Sequence, residues 1–193
     1  MRRTRSNTVR IIGGRWRSRI LEFPDVADLR PTPDRVRETL FNWLGRDLTG
    51  MACLDLFAGS GALGFEALSR GAASVVMVEK NPRALRALHE SAHKLGATNL
   101  TVVRGDALEF ARGTRSRFDV VFLDPPYRLG LQIAALDLLR RLLIERGWVY
   151  VESDAVFEPP QGWAILKRAR AGNVHFYLLV READDQGGVS GNI

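Results

Sequence analysis

Cysteine and histidine are scarce in this chain of 193 residues, which contains one cysteine and three histidines. The single cysteine, Cys53, can form no internal disulfide, and its apolar neighbours predict a small buried residue. A zinc site needs about four nitrogen, sulfur or carboxylate ligands, which these scattered residues do not supply. We therefore expect no metal site.

Long hydrophobic runs are also lacking, since no run approaches the roughly 20 apolar residues that cross a bilayer. The N-terminus is basic but has no apolar stretch of the kind found in signal peptides. We therefore expect a cytoplasmic protein with no membrane partner. The length suits one hydrophobic core with a small appendage, and nothing in the composition demands more than a monomer.

Acidic residues are missing from the first 21 positions, which contain seven arginines. Subtracting these seven from the 28 basic residues leaves 21 basic against 22 acidic side chains, so the net charge of +6 is a local feature. Guanidinium groups suit phosphate contacts and base stacking. Clustered positive charge of this kind is typical of nucleic-acid-binding proteins, and a solubilising basic tail is the alternative.

Two short strands, 9–12 and 16–21, are predicted around Gly13 and Gly14 as a hairpin. Because successive residues of a strand point to opposite faces, three arginines would share one face, opposite Trp16 and Ile20. Such an arginine stripe beside an aromatic ring can bind phosphates and stack on a base. The residues predicted to contact nucleic acid are Arg10, Arg15, Trp16, Arg17, Arg19, Arg30 and Arg35.

A helix is predicted next, with Thr32 as its N-cap, Pro33 at the first helical position and Asp34 complementing the helix dipole. Its apolar residues recur at helical spacing: Val36, Leu40, Trp43 and Leu44. The glycines at 45 and 50 mark a boundary. We therefore expect a basic extension at 1–49, a main domain at 50–182 and a flexible tail at 183–193.

From residue 51 onward, apolar runs alternate with helical patterns. This alternation indicates the α/β class, with a mostly parallel sheet and helices on both faces. The predicted strands are 51–57, 73–79, 99–104, 117–124 and 147–152, and the predicted helices are 61–70, 81–95, 107–112 and 130–146. Two further strands, 162–169 and 173–181, are predicted to close a seven-stranded sheet as an antiparallel hairpin.

A glycine motif, G-x-G-x-x-G, follows the first of these strands as Gly59-Ser60-Gly61-Ala62-Leu63-Gly64. Its place between a strand and a helix is the context in which the motif binds a nucleotide-containing cofactor. The Gly-Lys-Ser/Thr ending of a P-loop is absent. Glu79 ends the next strand, where a carboxylate can accept hydrogen bonds from ribose hydroxyls. The glycines alone fit NAD and S-adenosylmethionine equally well.

Three features favour S-adenosylmethionine. Asp55, just before the loop, would repel a pyrophosphate but attract the ammonium of a methionine moiety. Asp106 follows the third strand and can accept a hydrogen bond from an adenine amino group. The tetrapeptide at 124–127, described next, offers an amine site and no hydride-transfer acid. The alternative for Asp106 and Glu79 is a helix N-cap. The residues predicted to bind the cofactor are Asp55, Phe57, Ala58, Gly59, Ser60, Gly61, Glu79, Lys80, Asp106 and Ala107.

The tetrapeptide Asp124-Pro125-Pro126-Tyr127 ends the apolar run at 118–123, and its two prolines forbid continuation of the strand. The Asp124 carboxylate and the Pro125 carbonyl could accept the N–H bonds of a flat substrate with an amino group. The Tyr127 ring would stack on that substrate. We predict these four residues to be catalytic, the alternative being a strand that merely stops at a Pro-Pro turn.

The order of these motifs resembles that of class I S-adenosylmethionine-dependent amino-methyltransferases, and the likeness to one family, RsmD, is closer. The segments that resemble it are 11–17, 29–32, 34–44, 54–71, 150–152 and the final strand to residue 182. Pro33 and Tyr127 depart slightly, since family members often carry another residue at the first position and Phe at the second. RsmD proteins are bacterial 16S ribosomal RNA guanine-N2 methyltransferases.

The resemblance implies a Rossmann-like fold, S-adenosylmethionine as cofactor and S-adenosylhomocysteine as product. It also implies 16S ribosomal RNA, or the assembling small subunit, as partner. The residues alone leave alternatives open. The tetrapeptide would accept an adenine or cytosine amine of DNA or another RNA as readily. An NAD-dependent oxidoreductase would fit the glycines, and a non-catalytic RNA-binding protein would fit the basic N-terminus.

Overall fold

The computed structural model describes residues 6–26, 29 and 31–182, which form nine strands and five α-helices. The strands are β1 (Ser6–Arg10), β2 (Ile20–Pro24), β3 (Ala52–Asp55), β4 (Ser74–Glu79), β5 (Leu100–Arg104), β6 (Phe118–Leu123), β7 (Leu143–Ser153), β8 (Trp163–Ala171) and β9 (Val174–Arg181). The helices are α1 (Asp34–Trp43), α2 (Ala62–Ser69), α3 (Pro82–Leu95), α4 (Ala107–Gly113) and α5 (Gln132–Leu139). Arg30 and the predicted tail at 183–193 lie outside the described residues.

Seven strands form one sheet in the order β5-β4-β3-β6-β7-β9-β8. The first five are parallel, and β9 and β8 close the sheet as an antiparallel hairpin. This confirms the predicted fold class. The chain runs outward from β3 to β5 and then returns to the other side of β3 with β6, so the strand order reverses at the β3–β6 pair. Ligands of open α/β sheets bind at the carboxyl ends of the strands at such a point.

Side chains of the central strands alternate between two hydrophobic clusters, one on each face of the sheet. Cys53, Val120 and Phe122 belong to the first cluster, whereas Leu54 and Val121 belong to the second. All five are fully buried. Burying a valine, leucine or phenylalanine contributes about 1.5–3 kcal/mol. The alternation therefore holds the ends of β3 and β6 in place from both faces.

The N-terminal segment packs on the first of these clusters. Val9 and Leu21 of the β1–β2 hairpin, with Val36 and Leu40 of α1, are buried within that cluster. The extension and the sheet thus share one hydrophobic core. The division at residue 49 into two domains stays a prediction.

The predicted hairpin is partly wrong, because β2 begins at Ile20 rather than at residue 16. Residues Gly14–Trp16 form a 3-10 turn instead. The side chain of Ser69, on α2, accepts a hydrogen bond from the Trp16 N–H at 2.9 Å and donates one to the Gly13 carbonyl at 2.5 Å. Gly14 has a φ of 72°, and a Cβ there would lie 1.8 Å from the Ser69 carbonyl oxygen. This loop is therefore shaped by contacts with α2, which the sequence of the loop itself does not indicate.

Two helix predictions also need correction. The helix predicted at 130–146 is too long. Helix α5 ends at Leu139, and β7 begins at Leu143. Leu143 is fully buried and pairs with Phe118 of β6, so tertiary pairing overrides the helical pattern. At α1 the N-cap is Pro33, not Thr32. The Thr32 hydroxyl is used elsewhere, as described below.

Candidate active site

The parallel strands bring four acidic residues to one edge of the sheet. Asp55 ends β3, Glu79 ends β4, Asp106 follows β5 and Asp124 follows β6. Because β4, β3 and β6 are neighbours in the sheet, their carboxyl ends surround the glycine loop that follows β3. The structure therefore gathers these four residues at the edge where the strand order reverses, which is where an open α/β sheet has its ligand crevice.

The glycine loop makes a tight turn and then enters α2. The Gly61 N–H donates to the Ala58 carbonyl at 2.7 Å, and Gly61 has a φ of 76°. A Cβ at Gly61 would lie 2.6 Å from Leu88, and one at Gly64 would lie 2.4 Å from Met77. The positive φ of Gly61 therefore favours glycine in the turn, and Gly64 allows α2 to pack closely against Met77 of the sheet.

The flanking residues of the loop differ in exposure. Ala58 and Ser60 are buried, and the Ser60 hydroxyl accepts a hydrogen bond from the Ala62 N–H at 3.3 Å. Phe57 is half-buried, whereas Lys80 is exposed. The predicted cofactor residues thus include both loop-building and surface positions.

Backbone N–H groups fix the Glu79 carboxylate. Its Oε2 accepts from the Gly59 N–H at 2.8 Å, and its Oε1 accepts from the Asn81 N–H at 2.7 Å. Asn81, not Glu79, is the N-cap of α3, so the alternative role for Glu79 is wrong. Glu79 therefore ties the glycine loop to the end of β4, with a half-buried carboxylate at the crevice.

Asp106, in contrast, is the N-cap of α4. Its Oδ1 accepts from the Leu108 N–H at 2.9 Å and from the Glu109 N–H at 3.2 Å. Ala107, the first helical residue, is buried. The alternative role predicted for Asp106, that of a helix N-cap, is therefore confirmed. Its contact with an adenine stays a prediction.

Asp55 is only 3% exposed and accepts a hydrogen bond from the Gly64 N–H at 3.0 Å. Burial raises the pKa of Asp55 to about 7; the Gly64 hydrogen bond opposes the rise, and the negative charge of Glu79 adds to it. A cation placed beside Asp55 would stabilise its ionised form.

Asp124 is half-buried just beyond β6. Burial raises its pKa well above the usual range for aspartate, and the charges of Glu152 and Asp55 raise it further. A hydrogen bond from the Thr32 hydroxyl to Oδ2, at 3.4 Å, opposes the rise. This carboxyl therefore lies among other acids at the edge of the crevice.

The rest of the tetrapeptide forms a turn. Pro125 is buried and Pro126 is half-buried. The Pro126 carbonyl accepts from the Leu129 N–H at 2.9 Å, within the 3-10 turn Tyr127–Leu129. The predicted termination of the strand by the two prolines is confirmed. The stacking role of Tyr127 stays a prediction.

The sequence predicted no role for Glu152, and the role predicted for Thr32, the N-cap of α1, is wrong. Glu152, at the end of β7, is 1% exposed, and its Oε1 accepts from the Tyr150 hydroxyl at 2.7 Å. One sequence feature could have indicated a role for Glu152. It ends the apolar strand that contains Tyr150 and Val151, and that strand lies beside the one that leads to Asp124. For Thr32 no local signal exists, because its partner lies 92 positions later.

The predicted nucleic-acid residues do not form one cluster. Arg15 stacks over the Trp16 ring at 4.1 Å, and the Arg19 guanidinium donates to the Lys94 carbonyl at 3.4 Å. Together with the exposed Arg17, they lie near the C-terminal ends of α2 and α3. The eight residues of α2 span about 12 Å, so this group lies roughly that far from the glycine loop.

Arg10 lies closer to Asp124. It lines a groove of about 290 Å³ whose other lining residues are Thr8, Val9, Ile20, Pro31, Thr32, Pro33 and Asp34. Thr32 connects this groove directly to Asp124. Arg35, on α1, is exposed.

Within 6–26, 29 and 31–182, no group of three or more His, Cys, Asp or Glu residues could hold a metal ion. No helix of the described part is long and apolar enough to cross a membrane.

The sheet topology, with its parallel strands, final antiparallel hairpin and glycine loop after β3, defines a class I methyltransferase fold. A family model described as conserved hypothetical protein 95 matches residues 9–180, and the chain belongs to this family, the RsmD family.

Relatives and solved structures agree with this placement. The chain is 42% identical over 190 residues to ribosomal RNA small subunit methyltransferase D of Escherichia coli K12, covering 94% of each chain. It is 40% identical over 182 residues to the protein of the same name from Haemophilus influenzae, covering 88% of this chain and 92% of that one. The solved structure of an Escherichia coli protein named as a methyltransferase superposes with a TM-score of 0.82 at 42% identity. That alignment covers 92% of this chain and 99% of the other.

Proposed function

We propose that this protein transfers a methyl group from S-adenosylmethionine to the exocyclic N2 of a guanine in 16S ribosomal RNA. The observation that carries the proposal is the convergence of Asp55, Glu79 and Asp124 around the glycine loop at one sheet edge. The family and the names of its relatives support ribosomal RNA of the small subunit as the substrate.

The residues of the crevice fit S-adenosylmethionine better than NAD. Asp55 is buried directly before the glycine loop, where its negative charge would repel a pyrophosphate. Asp55 has its pKa raised to about 7, and the ammonium of a methionine moiety would favour its ionised form. Glu79, with both oxygens placed by backbone N–H groups, would accept from the ribose hydroxyls. Asp106 would accept from the adenine amino group.

S-adenosylmethionine, when bound, supplies an electrophilic methyl group on a sulfonium. The protein's own task is to prepare the nucleophile, because the lone pair of an exocyclic amine is delocalised into the base. Ionised Asp124 and the Pro125 carbonyl would accept the two N–H bonds and turn the lone pair toward the methyl. As the nitrogen–methyl bond forms at the expense of the methyl–sulfur bond, Asp124 would take the proton that the amine loses. Tyr127 would stack on the base, so positioning supplies most of the acceleration. A base inside a duplex is out of reach, so the target must be unpaired or flipped out.

The competing reactions fit less well. Methylation of a pyrimidine C5 needs a cysteine nucleophile, but burial raises the pKa of Cys53 to about 12 and keeps it a protonated thiol. An adenine or cytosine amine of DNA or other RNA would fit the tetrapeptide equally. The names of the relatives favour ribosomal RNA of the small subunit over DNA or other RNA. Guanine as the target base rests on the resemblance to the RsmD family described above.

The test is methyl transfer from isotope-labelled S-adenosylmethionine to unmodified 16S ribosomal RNA and to small-subunit particles, followed by nucleoside analysis. Labelled N2-methylguanosine is the expected product, and the better substrate of the two identifies the partner. Label in another base would overturn the guanine assignment while keeping the amino-methyltransferase. No label, with the protein folded and the cofactor bound, would overturn the proposed substrate.

A further inference from the structure

Thr32 occupies an unusual place for a threonine that precedes a helix. It is only 5% exposed, yet Pro33 rather than Thr32 is the N-cap of α1. Its hydroxyl instead donates to Oδ2 of Asp124 at 3.4 Å. This separation is longer than usual for O–H···O bonds. The hydroxyl is therefore committed to the carboxylate that the proposed reaction uses.

A buried arginine holds the backbone at Thr32. Arg37 is fully buried, and its Nε donates to the Thr32 carbonyl at 3.1 Å. The rest of its guanidinium donates to the Arg10 carbonyl at 2.8 Å, to Asp34 at 2.5 Å and to Glu66 at 3.4 Å. A planar guanidinium with this many partners has one orientation. The Thr32 backbone is therefore held by a side chain that is itself bound to Glu66 of α2.

The environment of Asp124 explains why a donor is needed there. Glu152 at the end of β7 and Asp55 at the end of β3 are the charged groups that act on it, and both oppose its ionisation, as burial does. The Thr32 hydroxyl favours the ionised form. It also occupies Oδ2, so Oδ1 and the second lone pair of Oδ2 are left for the N–H bonds of a substrate amine.

We propose that Thr32 is a positioning residue that holds the Asp124 carboxylate in the orientation that accepts the substrate amine. This inference rests on the role proposed above for Asp124. Arg37 takes part indirectly, since it fixes the backbone from which the Thr32 hydroxyl projects. The N-terminal extension would then contribute to the chemistry as well as to RNA contact.

The test compares Thr32→Val, Thr32→Ser and the control Thr39→Val in the full-length protein. Thr39 lies on α1, and its hydroxyl donates within that helix, to the Arg35 carbonyl at 2.9 Å. We expect Thr32→Val to lower kcat about tenfold, the effect of losing a hydrogen bond to a charged group. KM for RNA and the Kd of S-adenosylmethionine should stay close to wild type. Thr32→Ser should restore most of kcat, and Thr39→Val should leave it unchanged.

A second measurement separates positioning from folding and from the proposed function. Loss of the hydroxyl raises the pKa of Asp124 further, so the acidic limb of the kcat profile should move to higher pH in Thr32→Val. Carbon-13 NMR titration of the Asp124 carboxyl, without RNA, should report the same shift. Wild-type kcat in Thr32→Val, or an Asp124 pKa that does not move, would overturn the inference. So would a Thr32→Ser variant as impaired as Thr32→Val. If wild type methylates no RNA, the proposed function fails, and the NMR titration still decides whether Thr32 acts on Asp124.

Discussion

The two halves of the crevice are built in different ways. In the half formed by β3, β4 and β5, acidic side chains are held by nearby backbone N–H groups, no more than 20 positions away. In the half formed by β6 and β7, Asp124 is held by a side chain 92 positions away. The carboxylates of the cofactor half are therefore held by local contacts, whereas Asp124 of the substrate half depends on the N-terminal extension. Substitutions in each half should separate cofactor binding from catalysis.

The largest effect is expected for Asp124→Ala. Losing the principal acceptor for the amine should reduce kcat by about 10³-fold, as for other groups that stabilise a developing charge. The cofactor half is untouched, so calorimetry should find the affinity for S-adenosylmethionine retained. Asp137→Ala, an exposed aspartate on α5, is the control and should retain activity. A loss of cofactor affinity in Asp124→Ala would show that the two halves are not separable.

Arg37→Met should destabilise the protein by about 3 kcal/mol, because it leaves Glu66 with a buried charge and fewer partners. Both side chains are fully buried, and Arg70 remains paired with Glu66 at 2.8 Å. Urea denaturation followed by circular dichroism would measure the free energy of unfolding. Arg35→Met, at an exposed site on the same helix, should change it by less than about 0.5 kcal/mol. If Arg37→Met and Arg35→Met lowered the free energy of unfolding equally, the buried Arg37–Glu66 pair would not stabilise the protein as described.

Replacing Arg15, Arg17 and Arg19 together with alanine should weaken RNA binding by up to about 10²-fold and lower the salt slope by about 3. All three are exposed, so stability and cofactor affinity should not change. The matched control is the triple alanine variant of Arg112, Arg115 and Arg117, which are also exposed but lie in the last turn of α4 and just after it, on the other side of the sheet. Filter-binding titrations at several salt concentrations would compare them. An equal loss in both variants would indicate non-specific charge attraction.

The smallest effect is expected for the pH dependence of S-adenosylmethionine binding. The pKa of Asp55 is raised to about 7, so the carboxyl is mostly protonated at pH 5.5 and mostly ionised at pH 7.5. A ligand ammonium prefers the ionised form, so affinity for S-adenosylmethionine should rise about tenfold across this window. Asp55→Asn should bind more weakly and lose this pH dependence. A wild-type affinity independent of pH would mean that Asp55 does not face the ammonium.

This comparison also explains what the sequence could predict. The glycine loop and the strand-end residues Asp55, Glu79 and Asp124 follow from local patterns, and parallel topology then brings them together. The start of β2, the end of α5 and the role of Thr32 depend on contacts with distant segments. No residue near Trp16 indicates that Ser69 will bind its backbone. Likewise, nothing near Thr32 distinguishes a partner of Asp124 from an ordinary N-cap.

The long separation between Thr32 and Asp124 has a consequence for the newly synthesised chain. The hairpin, α1 and the buried Arg37 emerge first, but Glu66 follows Arg37 by 29 positions and Asp124 follows Thr32 by 92. Until then, Arg37 lacks its buried counter-ion Glu66, and the apolar side chains of the extension lack the sheet against which they pack. Contacts of such separation form slowly. The support of the amine acceptor therefore joins two segments that are synthesised far apart, whereas the carboxylates of the cofactor half accept from N–H groups no more than 20 positions away.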